Sequence, residues 1–203
     1  MMDNRKSHTD PRIIRTRQLI RDAFVELLQE MDIEKISVNR IAERATINRV
    51  TFYLHYRDIP DMLEKMAEDM ARDIERILND TPANPNSEEE AGWNMMVRFL
   101  EHIADQAKFY KLILSTKRTP IFTERLLKLL TGMMITRLER MGSDSFISTA
   151  GIQKDIAIWY CSSAMIGTII SWLRNDMPYT PLFLARQISL LLPYHQNYKP
   201  IDR

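Results

Sequence analysis

The stretch SVNRIAERATINRVTFYLHYRD, Ser37 to Asp58, decides the fold. It holds two short runs of helical periodicity, Val38 to Ala45 and Asn48 to Tyr56, with only Thr46 and Ile47 between them. A helix pair joined that tightly is a helix-turn-helix candidate. Ser37 is placed to cap the first run and Asn48 the second, because their short side-chain oxygens accept from backbone N–H groups that a helix start leaves open. Ile41 and Ala42 can face a core, and Ala45 is small enough for the close crossing that such a turn demands.

The second helix of the pair opens with Arg49, Val50 and Thr51, the end that helix-turn-helix proteins point at base edges in the major groove. Arg49 offers a guanidinium fork for guanine O6 and N7 or for a phosphate. Thr51 offers a methyl to thymine or a hydroxyl to phosphate. Tyr53 and His55 add polar tips. Phe52 reads as packing, and Tyr56 suits either packing or contact.

Upstream, Asp10-Pro11 marks a helix start, since proline is pre-set for the first helical position and has no N–H to lose. From there Ile13, Ile20, Phe24, Leu27 and Met31 share one face, with Arg15, Arg17, Arg21 and Glu30 largely off it. Residues 1–21 carry six basic side chains against two acidic ones, a local charge of +4. The whole chain, with 28 Lys and Arg against 27 Asp and Glu, carries only +1. Any basic surface is therefore local, at the front of the chain.

Downstream, Asp58 can cap a helix whose apolar stripe Leu63, Met66, Met70, Ile74 and Ile77 runs to about Asn79, a rod of about 33 Å. Asp80 to Asn86 reads as a linker by its turn chemistry. Ser87 and Glu90 form a capping-box pattern before a helical stretch from Glu88 to about Ser115, broken near Ala107. Pro120 to Met141 and Pro181 to Leu192 each follow a threonine cap, and Ile152 to Asn175 lies between them. The expectation is an all-α chain of about nine helices, with a three-helix DNA-binding domain and basic arm at 1–57 and a helical domain at 58–203.

The 203 residues, 45% apolar and 27% charged, match ordinary globular usage and suffice for a substantial core. One cysteine, Cys161, excludes an internal disulfide and any multi-thiolate metal site and suits a reducing compartment, so a cytoplasmic location is expected. No secretory signal is read in the opening residues. His8, His55, His102 and His195 are scattered. There is no glycine-rich phosphate loop, no Gly-x-Ser-x-Gly and no His-Glu-x-x-His, so neither an enzyme, a metal nor a cofactor is expected.

The residues Arg40-Ile41-Ala42-Glu43-Arg44-Ala45, followed by Asn48-Arg49-Val50-Thr51-Phe52-Tyr53-Leu54-His55-Tyr56, resemble the signature of TetR/AcrR repressors. The resemblance spans about residues 10–65 and includes the Arg15-Thr16-Arg17 opening of the first helix. It implies a homodimeric transcriptional repressor released by a small ligand. It also implies base or backbone contacts from Arg40, Asn48, Arg49, Val50, Thr51, Tyr53 and His55, and a phosphate grip from Arg57. The sequence departs from the pattern at Thr46, where the turn usually has glycine, at Val50, where a smaller residue is common, and at Ile59, where a phosphate-binding lysine is frequent. A dimer reading two half-sites about 34 Å apart, or a multiple of that, implies a palindromic double-stranded operator.

Residues Ile156 to Leu173 carry no charge, long enough by count to touch the lower limit for a membrane span. Ser162, Ser163, Thr168 and Ser171 interrupt the run, and Asp155 and Arg174 close it, so a helix buried on nearly all sides is expected instead, with no membrane partner. Ala164, Gly167 and Ser171 recur at helical spacing and permit close approach of another helix, and Ile188, Leu191 and Leu192 offer a second apolar face. Family resemblance places the dimer bundle there.

Trp93, Met96, Phe99, His102, Ile103, Tyr110, Met133, Arg137 and Trp159 mix bulky apolar groups with a few polar tips, which suits a pocket for a largely apolar small molecule. Each would also serve as ordinary core. The rival reading is a helical carrier of apolar molecules whose helix-turn-helix no longer binds DNA.

Overall fold

A computed structural model describes residues 10–79, 88–115, 119–141 and 146–191. The described residues are helical, joined by short turns. The chain divides into two compact units, Met1–Ala67 and Glu68–Arg203.

In the first unit, α1 (Pro11–Glu30) packs on α2 (Val38–Arg44) and α3 (Arg49–His55). Asp10 caps α1 by accepting the Arg12 N–H at 2.9 Å, with Pro11 next to it as expected. A single 3-10 turn, Ile33–Lys35, which the sequence did not suggest, connects α1 to Ser37. Ile20, Phe24, Ile41, Phe52, Tyr56 and Met62 fill the core. Ile13, assigned to the same stripe, is 38% exposed, about two turns before Ile20, the first buried residue of α1. Arg44 fixes α2 to α1 through a two-pronged contact with Glu30, at 2.8 and 2.7 Å, and a third bond to Glu26 at 3.3 Å.

The turn between α2 and α3 closes as a Schellman motif: the Ile47 N–H donates to the Ala42 carbonyl at 2.9 Å and the Thr46 N–H to the Glu43 carbonyl at 3.1 Å. The motif needs a left-handed residue after the cap, and Thr46 takes that role with φ +56°.

Helix α4 (Ile59–Asn79) crosses the division between the units. Its buried positions are Met62, Met66, Ala67, Met70, Ala71, Ile74 and Leu78. The stripe is centred one residue away from the expected one at each end, with Leu63 and Ile77 only half-buried.

The second unit contains α5 (Glu88–Asp105), α6 (Ala107–Ser115), α7 (Pro120–Met141), the short α8 (Phe146–Thr149), α9 (Lys154–Arg174) and α10 (Pro181–Leu191). The break near Ala107 is present. Helix α8, at four residues, is too short to show a period. Helix α9 packs on α6 and α7, and α10 packs on α5. Phe109 sits edge-on to both Tyr110 and Phe122, with ring centres 5.4 and 5.9 Å away. Thr180 caps α10 through the Phe183 N–H at 3.2 Å. Thr119 does not use its side chain that way: its buried hydroxyl donates to the Ile113 carbonyl at 3.0 Å and seals the end of α6 instead. Ser87 and the 80–86 linker lie outside the described residues, as does the arm 1–9.

Helix α9 is the one helix among the described residues long and apolar enough to cross a membrane. One of its faces is packed, through Ala157, Ile158, Cys161, Ser162, Met165, Ile166, Ile169, Trp172 and Leu173. The Ser162 hydroxyl is satisfied there by the Ile158 carbonyl at 2.7 Å. The expectation of burial on nearly all sides is corrected: Ile156, Trp159, Tyr160, Ser163, Ala164, Gly167 and Ser171 form an uncovered face.

Candidate nucleic-acid interface

Helix α3 begins at Asn48, whose side chain accepts the Val50 N–H at 2.8 Å. A cap of this kind stabilises a short helix by about 1 kcal/mol, and a seven-residue helix has little cooperativity of its own to draw on. The rest of its anchorage is aromatic. Phe52 is fully buried and Tyr56 nearly so, their rings 5.6 Å apart. With 52 and 56 turned inward, the 3.6-residue period turns 49, 50, 53 and 54 outward.

Arg49, Val50, Tyr53 and Leu54 are accordingly exposed. Arg49 Nη2 donates to the Tyr53 hydroxyl at 2.9 Å, and its guanidinium lies 5.4 Å from the Tyr53 ring centre. The contact holds the fork in one arrangement before any partner arrives. Thr51 and His55 are half-buried at the flank. Arg57 is 82% exposed at its side chain, with only a 3.4 Å ion pair to Asp61. Arg40, on α2, is exposed but folds back so that Nη1 donates to the Met31 sulfur at 2.8 Å.

Burial, followed by the nearby charges of Arg17 and Lys65, pushes the His55 imidazole below its ordinary pKa of 6.5. It is neutral at pH 7, and the positive charge of α3 itself comes from Arg49. The sequence assigns no contact or charge role at this site to Leu54, Arg17 or Lys65. Leu54 was legible as the residue one turn beyond Val50. Lys65 was legible as the partner one turn beyond Asp61, which it meets at 2.9 Å.

In the second unit, Met96, Phe99, Ile103 and Tyr110 are buried, and Trp93, His102, Met133 and Arg137 are half-buried. His102 Nε2 lies 2.9 Å from the Tyr110 hydroxyl, and His102 Nδ1 lies 3.5 Å from Gln106 Nε2. The Arg137 guanidinium crosses Gly92 so closely that a Cβ there would stand 3.1 Å from Nη1. Trp159 is not with this group. It sits one residue, about 100°, past the inward-facing Ile158 and is 63% exposed.

Of the residues assigned to the helix-pairing face, Ala164, Gly167 and Ser171 lie on the uncovered side of α9, and Leu191 is 82% exposed. Ile188 lies on the other side of α10, buried beside Leu184 and Ala185. Leu192 is outside the described residues. Trp159, Tyr160, Leu182, Phe183 and Leu190 are also exposed.

Comparison with known proteins agrees with this layout. The family model described as bacterial regulatory proteins, tetR family, matches residues 20–66, and that of a transcriptional regulator C-terminal region matches residues 93–194, half the chain. An uncharacterized HTH-type transcriptional regulator, YxbF, of Bacillus subtilis (strain 168) is 20% identical over 180 residues. The match takes in 88% of this chain and 45% of that protein, so the chain spans less than half the length of this curated relative. A TetR transcriptional regulator from Streptococcus agalactiae 2603V has the same fold at TM-score 0.64 and 24% identity, covering 90% of this chain and 96% of that one. The regulator FadR of Bacillus subtilis, solved in complex with stearoyl-CoA, matches at TM-score 0.61 and 21% identity, covering 88% and 99%.

Proposed function

We propose, from the premise that this chain belongs to the TetR family of bacterial transcriptional regulators, that it is a homodimeric repressor whose α3 reads a palindromic operator and which a small, largely apolar molecule releases. The observation that carries this reading is the outward face of α3, capped by Asn48 and anchored by Phe52 and Tyr56, which leaves Arg49, Val50 and Tyr53 in solvent. Thr51, His55 and Asn48 flank that face, Arg57 supplies a cation just after α3, and Arg40 supplies one on α2. Arg40 reaches a phosphate only by leaving Met31.

Two copies pair through the uncovered side of α9, where Ala164, Gly167 and Ser171 permit close approach and Trp159 and Tyr160 supply area, together with Leu191 on α10. The effector occupies the helical unit among Met96, Phe99, Ile103 and Tyr110. His102 and Arg137 offer polar recognition there, and a long acyl chain like the one in the FadR complex is of suitable chemistry. Its binding shifts α4 and thereby the spacing of the two reading helices. A coupling of about 1 to 3 kcal/mol weakens the operator complex roughly 5- to 150-fold, provided the ligand prefers the released state by that amount.

A gel shift of the protein on the DNA upstream of its own gene, repeated across a salt series, tests the reading. Phosphate neutralisation gives a steep fall in affinity with salt. Failure to shift any DNA would favour the carrier reading instead.

A further inference from the structure

The outward face of α3 has two unlike halves. Arg49 and Tyr53, one turn apart and hydrogen-bonded to each other at 2.9 Å, make the polar half. Val50 and Leu54, also one turn apart, make an apolar half that is 65% and 77% exposed. Among the described residues only Leu191 is a large apolar side chain more exposed than Leu54. Branched aliphatic side chains left in water forgo the stabilisation that burial gives. A pair of them left in water beside Arg49 on a helix of seven residues is unusual for a surface that meets only solvent.

The chemistry around the pair narrows the partner. Arg49, Arg40 and Arg57 are all exposed on the same unit, which favours a polyanion over an apolar protein face. Along a DNA major groove nearly every group presented is a hydrogen-bond donor or acceptor, and the thymine C5-methyl is the apolar exception. Val50 and Leu54 are separated by about 6 Å along the helix axis, which is comparable to one or two base steps of about 3.4 Å.

We infer that Val50 and Leu54 form an apolar rail that reads thymine C5-methyl groups beside the base or phosphate taken by Arg49. The inference rests on the proposed role of α3 as the reading helix and adds a specificity that hydrogen bonding does not supply. The rail distinguishes thymine from cytosine by the methyl alone, so 5-methylcytosine satisfies it as thymine does.

The test uses the full chain and a duplex obtained by binding-site selection. Each thymine is replaced in turn by deoxyuridine, which removes the methyl and leaves base pairing unchanged. At one or two positions per half-site the affinity falls about four-fold. Leu54→Ala or Val50→Ala abolishes the ratio of thymine to uracil affinity, whatever its absolute affinity for the uracil duplex, and Arg49→Ala retains that ratio. Both rail residues are exposed, and matching thermal melts of the variants confirm an intact fold. Independently of any variant, 5-methylcytosine at the same position binds more tightly than cytosine. Equal affinity for uracil and thymine at every position of a duplex that the protein does bind overturns the rail and leaves α3 as the reader. So does discrimination that survives in both alanine variants. If selection yields no duplex at all, the DNA-reading role falls, and the rail with it.

Discussion

Lys65 of α4 donates to the backbone carbonyl of His55, the last residue of α3, at 3.2 Å. The same ammonium meets Asp61 at 2.9 Å and lies 5.6 Å from the ring centre of Tyr56. Asp61 in turn accepts the Arg57 N–H at 2.9 Å, and its own N–H donates to the Asp58 side chain at 2.8 Å. The three-residue joint between α3 and α4 is therefore closed by side chains as well as by the chain itself. Under the proposed release mechanism, a displacement of the first turn of α4 would pass through these contacts to the tail of the reading helix.

Lys65→Met keeps the aliphatic stem and removes the charge, leaving the His55 carbonyl and Asp61 without that donor. The expected cost is about 0.5 to 1.5 kcal/mol in urea denaturation, toward the low end because the group is partly solvated. Operator affinity in the same variant should fall although Lys65 is not among the outward α3 residues. An unchanged denaturation midpoint and an unchanged gel shift would show that the tie has no mechanical role.

Thr46 holds a left-handed conformation that costs a non-glycine residue about 1 to 2 kcal/mol, partly offset by the greater chain entropy that glycine loses on folding. Thr46→Gly is expected to stabilise the protein by about 0.5 to 1 kcal/mol. Thr46→Val, still branched at Cβ, should give no such gain. Chemical denaturation of the pair checks this, and a destabilised glycine variant would mean that the threonine side chain contributes more than its backbone costs.

The depressed pKa of His55 sets a direction for acid sensitivity. The unfolded chain takes up a proton near 6.5, whereas the folded chain resists it. The stability from neutral His55 is thus complete above that value and is lost as pH falls through the lower folded pKa. Asp61 is held below its ordinary 3.8 chiefly by its hydrogen bonds from Lys65 and from the Arg57 backbone, so a second loss begins only in the carboxylate range. His55→Gln should flatten the profile from pH 7 toward 5 and leave the more acidic limb; an identical profile in that variant would refute the assignment.

Arg49→Ala is expected either to relax selectivity at one base pair or to weaken all sequences alike and reduce the salt slope by about one, according to whether the fork takes a base or a phosphate. Tyr53→Phe removes the hydroxyl that holds the fork and should produce a weaker version of the same change. Binding-site selection with both variants reads the outcome. If neither selectivity nor affinity changes, α3 is not the reader.

Pairing through α9 is tested by Trp159→Arg. A two-fold interface brings the new charge in twice, and a large aromatic residue is a common anchor of such contacts. Sedimentation should show a shift from dimer to monomer at micromolar concentration with the helical content retained. A variant that remains dimeric would place the interface elsewhere.

The helix starts were the most legible part of the sequence. The side chains of Asp10, Ser37, Asn48, Asp58 and Thr180 all accept a backbone N–H at the helix starts where their residue types put them, because a cap is a local interaction. Thr119 was misread because the demand on its hydroxyl came from Ile113, across a turn rather than along one. Periodicity revealed which residues share a face of α9 but not which face the neighbouring helices cover. Trp159 was therefore placed inside when it lies outside, and Ile188 was assigned to the uncovered side when it belongs to the core. Leu54 was overlooked for a related reason: an aliphatic residue near Phe52 and Tyr56 reads as core until the helix is oriented.

The two tryptophans of α9 live in opposite surroundings. Trp172 is buried, its indole N–H bound to the Tyr179 carbonyl at 2.9 Å, while Trp159 faces water. The chain thereby carries a built-in optical gauge. If two copies pair through this face as proposed, Trp159 emission should be red-shifted in dilute protein and move to shorter wavelength on association, against the background of Trp172 and the half-buried Trp93, so that assembly can be followed without a label.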